Sequence, residues 1–165
     1  MYIESTLLPE EKVILLTRPH WIVFFPPALI LLVVIFIAGV VSSSLHYQGS
    51  LFGFSLPMWI VIVGLLYVLY AFAEALIIFY FSEYGITNRR VLMKVGMIQR
   101  NSLELFLEKV EAIHVNQSIL ARILNYGVLV VIGTGGSRDF FRWVPDPLQF
   151  RKVIQQQIDK RSENQ

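Results

Sequence analysis

Hydrophobic and polar positions divide this chain in two. Between Pro19 and Ala73 there is no Asp, Glu, Lys or Arg, whereas on both sides of that run apolar and polar residues alternate over short intervals. A soluble domain built from a chain of 165 residues could hardly bury such a run, so the pattern predicts a bilayer around it. Two segments inside it are long enough to cross. Trp21 to Val41 extends about 31 Å as a helix against a hydrocarbon core of about 30 Å, and a second span runs from Pro57 to about Phe81. The polar interval Ser42–Ser55 separates them. Ser55 and Pro57 form a start signal, since serine can cap free amides and proline needs none in the first turn. Tyr47 and Trp59 suit the interface. Lipid leaves no partner for an open backbone, so both spans are expected to be helices and residues 21–81 a membrane hairpin.

Outside the hairpin the periods shorten. Lys12 to Thr17 reads as a strand with Val13 and Leu15 on one face and Ile14 and Leu16 on the other, and a strand apolar on both faces should be covered. The arm of residues 1–20 is too short to fold alone. It is expected to dock on the C-terminal domain; the alternative is an interfacial segment lying on lipid. Pro26 and Pro27 remove two amides early in the first span and predict a bend near Ile22 and Val23. After Ser82 come short strands: Tyr84–Thr87, Val91–Ile98, Leu103–Leu107, Ala112–Asn116, one from Val128, and Phe140–Val144. The turns between them fall at Asn88-Arg89, Gln99–Ser102 and Gly133–Ser137. "SILARILNYG" predicts a brief helix capped by Ser118 and stopped around Gly127. The last element is an amphipathic helix in which Asp146 caps, Pro147 opens, and Phe150, Val153, Ile154 and Ile158 form one stripe. Residues 82–165 are thus expected to be a small antiparallel sheet or partial barrel with a C-terminal α-helix.

Charge adds orientation. Lys12 and Arg18 precede the first span, the connecting loop has no basic residue, and every other Lys and Arg follows the second span. This predicts a multi-pass protein of the plasma (inner) membrane with both termini cytoplasmic. The first span is expected to be retained rather than cleaved as a signal peptide, because no small-residue cleavage site follows it. The hairpin also accounts for most of the 55% hydrophobic content and the mean hydropathy of +0.60. With no cysteine in the chain, disulfides and thiolate metal sites are excluded.

Several stretches together resemble a known family. "YGITNRRVLMKVGMIQR", "LELFLEKVEAIHVNQS", "ILNYGVLVVIGTGG" and "FRWVPDPLQF" are similar to the bacterial pleckstrin-homology-like (PH-like) domain found behind transmembrane hairpins, and "LLPEEKVILLTRPHWIVF" is similar to the start of such membrane proteins. Tyr84–Arg90 is the most specific part. The resemblance implies a curved antiparallel sheet closed by a C-terminal helix, and it implies no activity, because fold does not give function.

No catalytic set can be assembled. His20, His46 and His114 fall at the first span, in the outer loop and in the C-terminal domain, so they cannot meet at one metal or in one active site. His114 is expected on the solvent face of its strand with Ala112 and Asn116. "GTGGS" lacks the following Lys and Ser/Thr of a phosphate loop and reads as a hairpin turn. The chain is expected to be no enzyme and to need no cofactor, metal or small-molecule substrate. Nucleic acid is a poor fit to its modest basic charge.

Three features remain as candidate sites. Arg89, Arg90 and Lys94 lie on the hairpin that binds lipid head groups in eukaryotic PH domains and are expected to contact anionic head groups; the alternatives are solvated strand ends or an ion pair with Glu83 or Glu104. Glu74 is the acidic residue inside the second span, where a carboxyl is costly; it is either functional or a group that snorkels or pairs with Arg18 or His20, and Ala71 and Ala75 beside it would permit close helix packing. Ile119, Leu120, Ile123 and Leu124 form one apolar stripe, expected to be an exposed contact for a protein partner, a second copy or the bilayer, or else a plug for the sheet. Two functions follow. One is a membrane-anchored binding or scaffold module; the other is an accessory or regulatory subunit of a membrane enzyme or transporter, acting through the hairpin and Glu74.

Overall fold

The computed structural model describes residues 2–44, 50–51, 54–96 and 101–163. It divides into two units: Trp21–Leu76, and Met1–His20 together with Ile77–Gln165. His46, Tyr47 and the first half of the expected turn at Gln99–Ser102 lie outside the described residues; Asn101 and Ser102 belong to a strand.

The apolar unit begins with a 3-10 turn, Trp21–Phe24, and continues as α2, Phe25–Ser44. Pro26 and Pro27 therefore sit in the first turn of α2, where their missing amides cost no intrahelical bond, and the helix type changes just before them, next to the position of the expected bend. The second helix, α3, is Leu56–Phe81. Ser50–Leu51 pairs briefly with Phe54–Ser55 ahead of it. Both helices are long and apolar enough to cross a membrane, and most of their residues are exposed. The helices pack closely at Gly64, where a Cβ would collide with the Val34 side chain, and Phe24 meets Phe72 with ring centroids 5.4 Å apart.

The second unit holds two antiparallel sheets. The arm supplies a short helix α1, Tyr2–Ser5, and strand β1, Val13–Thr17. After α3 come β2 (Glu83–Thr87), β3 (Arg90–Val95) and β4 (Asn101–Phe106), and β1 pairs along β2 to give the order β1-β2-β3-β4. A 3-10 turn, Leu107–Lys109, leads to β5 (Val110–Asn116), α4 (Ile119–Ile123), β6 (Tyr126–Gly133) and β7 (Arg138–Pro145), which form the sheet β5-β6-β7. Helix α5, Pro147–Ser162, ends the described chain. Among the described residues the sheets are not closed into a barrel; the arm strand and the six strands after Ser82 are found as expected, but in two sheets rather than in one small sheet or partial barrel.

The core lies between these layers. Tyr84, Ile86 and Val91 of the first sheet meet Leu129, Val131, Phe141 and Val144 of the second, and Phe150 and Ile154 of α5 seal the space. Asp146 caps α5 by accepting from the Gln149 amide, and Pro147 takes its first turn. Ser118 caps α4 in the same way, through the Ala121 amide. The stop of α4 differs from expectation. Asn125, at φ 54°, turns the chain, and Gly127 already lies in β6. Asparagine tolerates this left-handed conformation better than most residues.

Candidate functional site

Two constellations of polar and aromatic groups stand out, at opposite ends of β2. The first is built where the arm meets the turn between β2 and β3. Asn88 exchanges hydrogen bonds with Lys12, its amide donating to the Lys12 carbonyl and its Oδ1 accepting from the Lys12 amide at 2.9 Å. This register brings Glu11 over Arg90. The Arg90 guanidinium holds the Glu11 carboxylate with two parallel bonds, Nε to Oε1 and Nη2 to Oε2, both 2.9 Å. It also donates to the Thr6 carbonyl at 2.8 Å and pairs through Nη1 with Glu104. Thr87 completes the network: its hydroxyl donates to Glu11 at 2.7 Å and accepts from the Arg90 amide. The Arg90 and Glu11 side chains are 5% and 0% exposed. Burial pushes the Glu11 carboxyl up, but the bonds from Arg90, the Leu8 amide and Thr87 outweigh it and hold the group below the usual carboxylate range.

This geometry corrects the expected head-group cluster. Arg90 is buried and its donors are spent on Glu11, Glu104 and Thr6, so the ion-pair alternative with Glu104 describes it. Arg89 lies beyond the end of β2, about 17 Å along the strand from Ser82, and its guanidinium is 3.7 Å from Glu10. Lys94 is at the other end, opposite Glu83 in the ladder. The three residues therefore form no common surface. The arm also covers the outer face of the first sheet, with Ile3 buried against Gly85, where a Cβ would come within 2.9 Å of Ile3 Cδ1.

The second constellation is where the chain joins the apolar helices. His20, the residue before Trp21, donates its amide to the Trp143 carbonyl at 2.7 Å and stacks on Tyr126 with centroids 5.5 Å apart; Tyr126 in turn lies 6.0 Å from Trp143. Trp143 adopts φ 57°, uncommon for a bulky residue, and Asn125 and Asp146 have positive φ in the same corner, joined by a bond from the Asp146 amide to the Asn125 carbonyl. Burial holds the His20 imidazole below its usual pKa. A cleft of about 320 Å³ opens beside this corner, lined by Ile78, Met93, Phe140, Arg142 and Trp143 among others. The Tyr84 hydroxyl at its floor donates to the Arg142 carbonyl at 2.8 Å.

Helix α4 ends three residues before Tyr126. Ala121 packs inward, and Ile119, Leu120, Ile123 and Leu124 are 81%, 65%, 73% and 37% exposed on the opposite side. They do not plug the sheet, because Ala121 and the Gln117 side chain, which donates to the Tyr126 carbonyl, take that position. His114 lies exposed on β5 with Asn116, and Glu74 is exposed on α3, one residue from the buried Ala75. Among the described residues no group of His, Asp and Glu could hold a metal ion.

Sequence reasoning missed Glu11, Thr87, Ile3, Trp143 and Tyr126. An acidic pair immediately before a strand was a usable signal for Glu11, and a Trp and a Tyr near strand ends for the corner. Neither signal names its partner.

Comparison with curated proteins and with solved structures finds no match. A family model described as Bacterial PH domain matches residues 22–158, which takes in both apolar helices, every strand of the two sheets except β1, and most of α5. PH domains are in general binding modules rather than catalysts, in keeping with a fold whose polar networks tie elements together. The chain belongs to the bacterial PH domain family.

Proposed function

We propose that the protein is a membrane-anchored binding or scaffold module. In this reading α2 and α3 cross the plasma (inner) membrane as a hairpin, both termini and the PH domain are cytoplasmic, and the domain presents surfaces to a protein partner, a second copy or anionic lipid head groups. It has no catalysis of its own. The observation that carries the reading is the exposed apolar surface of two helices of membrane-spanning length, attached to a domain that already has a complete core. The basic residues after Ser82, against none in the connecting loop, support the orientation. Of the three basic residues first considered, Lys94, near the start of β2, is the one kept for head-group contact.

Exposure of Glu74 on an otherwise apolar helix favours one second reading, an accessory subunit that uses this carboxyl against a membrane enzyme or transporter. Purification of the intact chain in mild detergent separates the two. A self-assembled particle, or the chain with bound anionic lipid, is the expected result. A stoichiometric complex with another membrane protein that dissociates on Glu74→Leu would overturn it in favour of the second reading.

A further inference from the structure

We infer that α4 is a bilayer-docking element, inserting Ile119, Leu120, Ile123 and Leu124 among the head groups and upper acyl chains of the leaflet that the hairpin enters. The inference rests on the membrane-anchored reading above and adds to it the surface and the occupant. Four observations lead there.

The first is exposure. A five-residue helix turns its three large apolar side chains, Ile119, Leu120 and Ile123, outward together with Leu124 at its C-cap and keeps Ala121 inside, although Ser118 caps it and Asn125 turns the chain after it. The second is position. His20 is covalently joined to Trp21, the start of the first apolar span, and is pinned to Trp143 and Tyr126; Ile78, at the end of the second span, lines the cleft beside Trp143. Both connections to the apolar helices thus leave the domain at the Trp143 corner. Tyr126 follows the end of α4 by three residues, so α4 is held at the same end of the sheet. The opposite end of β6, at the Gly133–Ser137 turn, is about 25 Å away.

The third observation is chemistry. Trp, Tyr and His rings crowd the corner, and amphipathic rings settle at the lipid–water boundary. The fourth is charge. Arg122 belongs to α4 itself and Arg142 lines the cleft beside Trp143, and an anionic leaflet attracts such groups; Asp146, in the same corner, is engaged as the cap of α5. The chain passes from this corner directly into the apolar helices, and a bilayer around them would supply the apolar surroundings that the four side chains lack.

The native chain has no cysteine, so single cysteines report position directly. The full-length protein carrying Ile123→Cys, Ser137→Cys or Val63→Cys, labelled with an environment-sensitive fluorophore, is reconstituted into phosphatidylcholine vesicles containing phosphatidylglycerol. The inference expects the Ile123→Cys label to shift to the blue, to be quenched several-fold more by a lipid nitroxide near the head group than by one deep in the chain, and to resist aqueous iodide. The Ser137→Cys label should stay in water and the Val63→Cys label, in the middle of α3, should be quenched by the deep nitroxide. Iodide access at Ile123→Cys with Val63→Cys protected overturns the docking and leaves the membrane anchor standing. Protection at Ile123→Cys from iodide and lipid quenchers alike shows a protein cover and also overturns it. Iodide access at Val63→Cys removes the anchor and the docking together.

Discussion

Arg90 illustrates how little a residue's charge says about its task. On a strand face shared with Leu92 and Lys94 it reads as a surface cation, yet the chain brings Glu11, 79 positions away, to within 2.9 Å of it. Two buried charges stay ionised because each satisfies the other with parallel bonds and Thr87 and Thr6 take the remaining polarity. Removing one partner leaves the other uncompensated. Arg90→Ala is expected to cost about 3–5 kcal/mol in denaturation of the intact chain. Arg90→Lys should recover little of this, since an ammonium cannot reproduce the fork. A second expectation concerns acid. The Glu11 carboxyl is held below its ordinary value of about 4.5, so the unfolded chain takes up a proton before the folded one as pH falls. The stabilisation is fully present above about pH 4.5 and is lost as pH drops further, through the folded pKa. Thermal midpoints measured from pH 6 to 3 should fall more steeply for the parent than for Glu11→Gln; parallel curves would exclude Glu11 as a source of acid sensitivity.

At the scale of elements, close contacts depend on which residue lacks a side chain. In the helix pair that residue is Gly64 against Val34, although Ala71 and Ala75 are the small residues flanking the polar position and draw the eye in the sequence. Gly64→Leu is expected to force α2 and α3 apart and lower the stability of the hairpin in detergent by about 1–3 kcal/mol, while Gly39→Leu, which meets nothing within 4 Å, should be tolerated. Helix α1 depends on a similar fit. Ile3 is buried over Gly85, so Ile3→Ala should cost about 2–5 kcal/mol and expose the arm to limited proteolysis earlier than the rest of the domain. Without that loss, the arm would be a passive cover. The capped helix α5 and its stripe were legible from residue types alone, because a cap and a 3.6-residue period are local causes.

For the whole molecule the decisive question is the solvent of each part. A hairpin with both termini cytoplasmic requires Ser44→Cys and Ser137→Cys to react oppositely with an impermeant thiol reagent applied to intact cells. Labelling of Ser137→Cys from outside would reverse the orientation. Two stretches that resemble the family, "LLPEEK" and "YGITNRR", the second its most specific part, turn out to be two halves of one network, with Lys12 and Asn88 exchanging backbone and side-chain bonds and Glu11 meeting Arg90. These residues are engaged in assembly of the domain. The half-buried corner of His20, Tyr126 and Trp143 falls in other stretches that resemble the family, "LLPEEKVILLTRPHWIVF", "ILNYGVLVVIGTGG" and "FRWVPDPLQF".

What the sequence determined alone were the features with one-dimensional causes. The charge-free run marks two apolar helices, alternation and turn residues mark most strands, and Ser118, Asp146 and Pro147 mark helix starts. Tertiary structure decided the rest. It split the strands into two sheets, set β1 against β2, buried Arg90 and turned the α4 stripe outward. The reason is physical: periodicity reports that a side chain prefers an apolar or polar surrounding, but the surrounding itself is made by residues many tens of positions away. A cation becomes buried only when a carboxylate arrives to pair it, and an apolar stripe stays exposed when a smaller residue, here Ala121, has filled the space it would have taken.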